Sequence, residues 1–209
     1  MNVVLYGGTG KAGSRILSEL LSRGHQVKAV VRDPAKLPQS PGLTIETGDL
    51  NDVDAIIRAI KGADAVISAY APPADAVEEL VAVTKRLVDA VKAAGMPRLL
   101  VVGGAGSLEV APGVQLIDTP SLPEAWRPIA LAHRGALQVL KSSDIDWTYL
   151  SPAAFFEPGE RTGKFRLGKD NLIVDENQNS RISMEDYAIA LVDELEKPAH
   201  FCQRFSIGY

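Results

Sequence analysis

The sequence predicts an α/β fold built on a doubly wound parallel sheet, and three observations carry that prediction. Strand and helix signals alternate through about three quarters of the 209 residues, as they do when each parallel strand returns through a helix. The first and fifth strand candidates are near-continuously apolar, as strands covered on both faces are. A glycine-rich turn, Gly7-Gly8-Thr9-Gly10-Lys11-Ala12-Gly13, stands between the first strand and the first helix.

The elements follow in order. Asn2–Tyr6 is a short, β-branched apolar strand. Ser14–Ser22 reads as a helix with Ile16, Leu17, Leu20 and Leu21 on one face. Gln26–Val31 and Leu43–Thr47 are strands, and a helix spans Asp52–Lys61. Ala63–Ser68 is the fourth strand. A long helix covers Ala74–Ala94, with Val77, Leu80, Val81, Thr84, Leu87, Val88 and Val91 at helical spacing; Gly95 ends it and Pro97 follows. Arg98–Val102 is the fifth strand, Pro123–Ser142 holds another helix, and Trp147–Leu150 is the sixth strand. After Ser151 the texture changes. Glu157–Gly163 is a turn-rich loop, and Phe165–Leu167 and Leu172–Val174 are short strand candidates. Ser183-Met-Glu-Asp186 resembles a capping box before a helix at Tyr187–Leu195, and Phe205–Ile207 is a last strand candidate. The tail, residues 151–209, is expected to be a substrate-side extension over the carboxyl ends of the strands, not an independent unit, so residues 1–209 form one domain.

Composition narrows the function. Hydrophobic residues make up 46% and charged residues 23% of the chain, ordinary for a globular protein. The net charge of −4, with no basic stripe, argues against nucleic-acid binding. The single cysteine, Cys202, excludes an intramolecular disulfide, fits a reducing compartment and is expected to be a small buried apolar residue. The first strand begins at Asn2 without a basic or apolar leader, and no apolar run approaches membrane-spanning length. The expectation is a cytoplasmic protein without a membrane or nucleic-acid partner, working on a small molecule as a monomer or homodimer. His25, His133 and His200 are scattered, without the paired spacing a metal needs. No Gly-x-Ser-x-Gly elbow supports a hydrolase.

The glycines explain why a nucleotide is expected. Glycine lets the backbone approach an anion, and the first N–H groups of the following helix point at it. The spacing is Gly-x-x-Gly-x-x-Gly rather than the ordinary dinucleotide fingerprint. The second strand ends at Arg32-Asp33, where an acid would take a ribose 2′-hydroxyl and an arginine a 2′-phosphate. Arg32 has the parity of Lys28 and Val30, Asp33 that of Val31, and Asp33-Pro34 looks like a helix-starting turn, so NADP(H) is favoured over NAD(H). Asp49 is placed to accept from the adenine amino group with Leu50 against the ring; equally, Asp49 or Asp52 caps the next helix. Small residues at Ser68-Ala69-Tyr70-Ala71 and Gly103-Gly104-Ala105-Gly106-Ser107 leave room for a ribose and a nicotinamide, and Ser107 is a candidate to hydrogen-bond a substrate.

Taken together, the glycine loop, Val31-Arg32-Asp33-Pro34, Gly48-Asp49-Leu50, Asp64–Ala69, Val101–Leu108 and Asp146–Pro152 resemble the atypical short-chain dehydrogenase/reductases of the NAD(P)H-binding, NmrA-like branch. The run Ala153–Gly163 is similar to that of the NADH-flavin reductase group within it. The resemblance spans the chain. It implies a Rossmann-type fold with a cofactor site at Gly7, Thr9, Gly10, Ala12, Gly13, Arg32, Asp49, Leu50, Ala69 and Gly103, and places Pro152 and Ala153 beside the nicotinamide. Lys11 and Gly104, in the same loops, and His133 complete the expected cofactor set.

One departure matters. Most members of the superfamily use a tyrosine four residues before a lysine, the lysine lowering the pKa of the proton-transferring tyrosine. None of Tyr6, Tyr70, Tyr149, Tyr187 and Tyr209 has lysine four positions on, and the expected pair falls on Ile129 and His133. His133 shares a helix face with Ala136, Leu137 and Leu140; it is a candidate to donate to a ribose hydroxyl, or a structural residue. Hydride transfer to a flavin or quinone-like ring survives the loss of the dyad, because the cofactors carry the electronics. The expected acceptor contacts are Tyr70, Phe155, Phe156 and Arg161, with one of the phenylalanines packed into the core and Arg161, Lys164 and Arg166 as positive charge for an FMN or FAD phosphate. A redox sensor that binds NADP(H) without turnover is the alternative. A nucleotide-sugar epimerase or dehydratase is a further one, against which the small tail argues.

Overall fold

A computed structural model of the chain describes residues 1–95 and 97–209. Among these residues the elements run β1 (Asn2–Tyr6), α1 (Lys11–Ser22), β2 (Gln26–Val31), β3 (Leu43–Thr47), α2 (Val53–Ile60), β4 (Ala65–Ser68), α3 (Glu79–Ala93) and β5 (Arg98–Val102). A small hairpin, β6 (Glu109–Ala111) and β7 (Val114–Gln115), precedes α4 (Arg127–Lys141) and β8 (Trp147–Ser151). The tail supplies β9 (Phe155–Glu157), β10 (Arg166–Gly168), β11 (Arg181–Ser183), α5 (Met184–Glu196) and β12 (Gln203–Gly208).

The main sheet has eight strands among the described residues, in the order β10-β12-β8-β5-β4-β1-β2-β3. Only β10 runs antiparallel to its neighbour, β12; the other pairings are parallel. The alternation of apolar side chains sorts the core into two layers. Val3, Leu5, Ile67, Leu100 and Leu150 join α1 and α5 on one face. Val4, Tyr6, Val66, Leu99 and Val101 join α2, α3 and α4 on the other. After β1 the chain winds to β2 and β3 on one side and to β4, β5 and β8 on the other, so the strand order reverses between β1 and β4. A crevice opens outside the strands at such a reversal, which is where open α/β sheets bind ligands.

Four expectations are corrected. The long helix begins at Glu79, not Ala74, because the stretch after Pro72-Pro73 closes i to i+3 turns (Ala76 N–H to the Pro73 carbonyl, Glu79 N–H to that of Ala76). Leu172–Val174 forms no strand; the segment is tied by one bridge from Asn171 to Glu109. Cys202 is exposed, in a turn where its φ is +51°, because β12 starts only at Gln203. The tail does not simply cover the strand ends. Its β12 and β10 extend the sheet, and Tyr187, Leu191, Val192 and Phe205 complete one core layer with α1, where their apolar surface is removed from water.

Candidate functional site

The glycine turn folds as tightly as main chain allows. Gly7 has φ +82°, and a Cβ there would stand 2.3 Å from the Ala69 carbonyl oxygen; one on Gly13 would stand 2.0 Å from that of Gly7. Gly10 caps α1 without a side-chain hydrogen bond, and the first turn holds no acid. Its leading N–H groups therefore face the crevice with no capping side chain competing for them, as a pyrophosphate requires.

Two cavities lie beyond the carboxyl ends of the strands, and this turn borders the first of them. The first, about 220 Å³, is lined by Tyr6, Gly7, Thr9, Gly10, Arg32, Asp49, Leu50, Ala69 and Tyr70, among others. Arg32 is exposed and has no carboxylate partner among the described residues. Asp33 is occupied: its carboxylate accepts from the Ala35 N–H at 3.1 Å and caps a short 3-10 turn at Pro34–Lys36. Asp49 accepts from the Asn51 N–H at 2.8 Å, and Asp52 is the residue that caps α2. Tyr70, expected among the acceptor contacts, lines this cofactor-side cavity instead, because Ala69-Tyr70-Ala71 leaves β4 beside the glycine turn.

The second cavity, about 550 Å³, opens beyond β5 and β8. Gly103, Gly104, Pro152, Ala153 and His133 form its inner end; Ile129, Leu116, Leu122, Trp126, Phe155 and Phe156 form much of its walls. The lining carries no Asp, Glu, Lys or Arg. The glycines again explain the shape: a Cβ on Gly104 would meet the His133 ring at 2.7 Å, and one on Gly103 the Tyr149 ring at 2.3 Å. At the rim, Trp126 and Phe155 meet edge to face with centroids 6.2 Å apart, both about half exposed. Phe156 turns inward and packs on Tyr187 at 4.7 Å. Lys11 lies over the adjoining surface, near Phe155 and Phe156.

His133 is positioned from behind by Tyr149. The buried phenol accepts from the Gly104 N–H at 3.2 Å and has the His133 carbonyl and His133 Nδ1 each at 3.1 Å. One phenolic hydrogen cannot serve both the carbonyl and Nδ1, so the phenol donates to one of them and the imidazole tautomer follows that choice. Nε2 has no protein hydrogen-bond partner among the described residues and is the ring nitrogen left for a ligand. Burial holds His133 down at about 4, so the ring is neutral at physiological pH.

Two expected site residues lie elsewhere. Ser107 is buried with its Oγ bonded to Arg204 at 3.1 Å, so it locks β12 to the β5 loop and lines neither cavity. Arg161 pairs with Glu19 of α1 at 2.8 Å, where it pins the tail loop and not an acceptor phosphate. Arg166 is likewise spent on the Val174 and Tyr209 carbonyls. The sequence reading missed Trp126 and the Leu116–Leu122 wall; the signal for Trp126 was a large apolar side chain just ahead of a helix.

A family model described as NAD(P)H-binding matches residues 7–198. The chain belongs to that family. Its glycine cradle, strand order and neighbours are those of an atypical short-chain dehydrogenase/reductase of the NmrA-like kind, an oxidoreductase group with a Rossmann fold. The chain is 43% identical to the YwnB protein of Bacillus subtilis over 99% of this chain and 98% of that one. A Bacteroides thetaiotaomicron structure provisionally named an epimerase superposes with TM-score 0.94 at 47% identity, covering 100% of this chain and 96% of that one. A Streptococcus pneumoniae structure provisionally named an NADH-flavin reductase superposes with TM-score 0.90 at 35% identity, covering 100% and 99%. The family binds NAD(P)H, and the bare-backbone cradle fits that group. No helix among the described residues is long and apolar enough to cross a membrane.

Proposed function

We propose that this protein uses NADPH to reduce a small planar acceptor, a flavin or quinone-like ring, in the second cavity. The observation that carries the proposal is that cavity: large, apolar, without Asp, Glu, Lys or Arg in its lining, and begun by Gly103, Gly104 and Pro152 just past the carboxyl ends of β5 and β8. A reduced nicotinamide held there supplies a hydride. The protein's part is to align the two rings and exclude water. Gly103, Gly104, Pro152 and Ala153 leave room for the nicotinamide, and Trp126 and Phe155 offer flat faces to an acceptor. His133 Nε2 forms a hydrogen bond with a ribose hydroxyl and fixes its height in the crevice.

No side chain in the cavity is equipped to give a proton to a carbonyl: Ile129 occupies the tyrosine position, and His133, held at about 4, is neutral at physiological pH. This favours acceptors whose own ring takes the hydride and draws its proton from solvent. The same absence disfavours an epimerase, which needs acid–base groups at a sugar carbon. It equally suits a redox sensor that binds NADP(H) without turnover, and that reading stands as the second. NADPH oxidation with FMN and with a quinone separates them. Reduction above the protein-free rate supports the reductase; tight coenzyme binding with no reduction of either acceptor supports the sensor.

A further inference from the structure

The segment between β5 and α4 and the start of α4 carry charges, and none of them lines the second cavity. Asp118 pairs with Arg134 at 3.2 Å and Glu124 with Arg127 at 3.1 Å, while Arg127 also donates to the Ile117 carbonyl. All four are absent from the lining. What the segment gives the cavity is Leu116, Leu122 and Trp126, the two leucines buried in a small apolar cluster with Ile117 and Ala130. The tail repeats the pattern. Arg161 is held by Glu19, and the loop that follows is tied to the buried Asp186, whose carboxylate accepts from the Thr162 and Gly163 N–H groups at 2.8 Å. Lys164 and Arg166, on the same loop, line neither cavity. Lys11 and Glu157 line an adjoining hollow that shares Phe155 and Phe156 with the cavity, and their charges are opposite in sign. An anionic substituent on an acceptor therefore finds no cation in the cavity and sheds water without compensation, whereas an apolar substituent gains from the area it buries.

We propose that the second cavity selects an uncharged acceptor ring with apolar substituents, and that Leu116, Leu122 and Trp126 set this specificity against phosphorylated flavins. The inference rests on the reductase reading, which it deepens, and not on which coenzyme supplies the hydride. The full-length protein is assayed at saturating NADPH, or NADH if that binds more tightly, with protein-free rates subtracted. Lumiflavin and FMN share one ring and differ in the phosphate-bearing chain; alkyl-substituted para-benzoquinones of rising chain length are compared with a carboxylate-ended chain of equal length. Lumiflavin should exceed FMN in kcat/KM by at least about fivefold, and each methylene that enters the cavity should raise kcat/KM about two- to fourfold, a gain that the terminal carboxylate cancels. Trp126 is about half exposed at the rim, so Trp126→Arg puts a cation at the mouth. That variant should raise FMN relative to lumiflavin by about tenfold. The ratio is read within one preparation, so any unfolded fraction cancels. FMN within about twofold of lumiflavin in the wild type overturns the inference, as does a flat alkyl series or an unchanged ratio in the variant. Wild-type protein that reduces none of these acceptors ends the reductase reading itself, and this inference with it.

Discussion

Arg32 and Asp33 are adjacent in the chain and do different work. Asp33 turns back to cap the 3-10 segment, while Arg32 lines the first cavity without a carboxylate partner among the described residues. On the NADPH reading proposed above, a guanidinium left unneutralised there would engage the 2′-phosphate through a fork of charge-assisted bonds. Arg32→Ala should weaken NADPH by about ten- to a hundredfold, the equivalent of roughly 1.5–3 kcal/mol, and NADH much less. The side chain is exposed, so folding is not at risk, and equal losses for the two coenzymes in parallel titrations would remove Arg32 from the phosphate. Residue by residue, the cofactor side was legible because its signals are local: glycines in a turn, a charged pair after a strand. The second cavity was legible only in part: Phe155 and Phe156 are in its lining as expected, whereas Leu116, Leu122 and Trp126 join them from segments distant in the chain that meet only in the fold.

At the scale of elements, α5 is held at both ends. Ser183 caps its N-terminus, accepting from the Asp186 N–H at 3.0 Å, as the capping-box sequence predicts. Near its C-terminus, the buried Glu194 meets Arg98 of β5 at 2.6 Å, and Arg98 also bonds the Glu194 carbonyl and Thr148. Removing one partner of such a pair leaves an uncompensated buried charge. Glu194→Ala is therefore expected to cost about 3–5 kcal/mol in urea denaturation, with NADPH affinity at low denaturant little changed because the pair lies far from the glycine turn. A loss below about 1 kcal/mol would mean that solvent reaches and screens the pair. Helices of this length announce themselves by period and cap. The hairpin β6–β7 and the pair β9–β11 did not, because strands of two or three residues are too short to show alternation.

At the scale of the whole molecule, acid should act in two stages. His133 is held at about 4 in the folded protein against about 6.5 unfolded, so the unfolded chain binds a proton first. Its contribution is complete above pH 6.5 and fades as the pH falls toward 4. Glu19, Glu185, Glu194 and Glu196 lie below their usual range, opposed by burial but held down by arginine or histidine partners; their contributions are lost only at still lower pH, as they protonate. Unfolding free energy should drop by about 1–2 kcal/mol between pH 7 and 5, and His133→Gln should flatten that slope. An unchanged slope in the variant would show that the imidazole titrates freely.

From the order of its residues alone, this chain determined the alternating α/β architecture, the glycine cradle and the turn that Asp33-Pro34 starts after β2. These depend on neighbours in sequence, where period, turn chemistry and side-chain parity act directly. Only the tertiary structure decided what lines the second cavity, why Ser107 and Arg161 stand apart from it, and how Tyr149 holds the His133 ring. Those outcomes depend on segments distant in the chain competing for the same buried space and the same hydrogen-bond partners, and only the folded packing settles that competition.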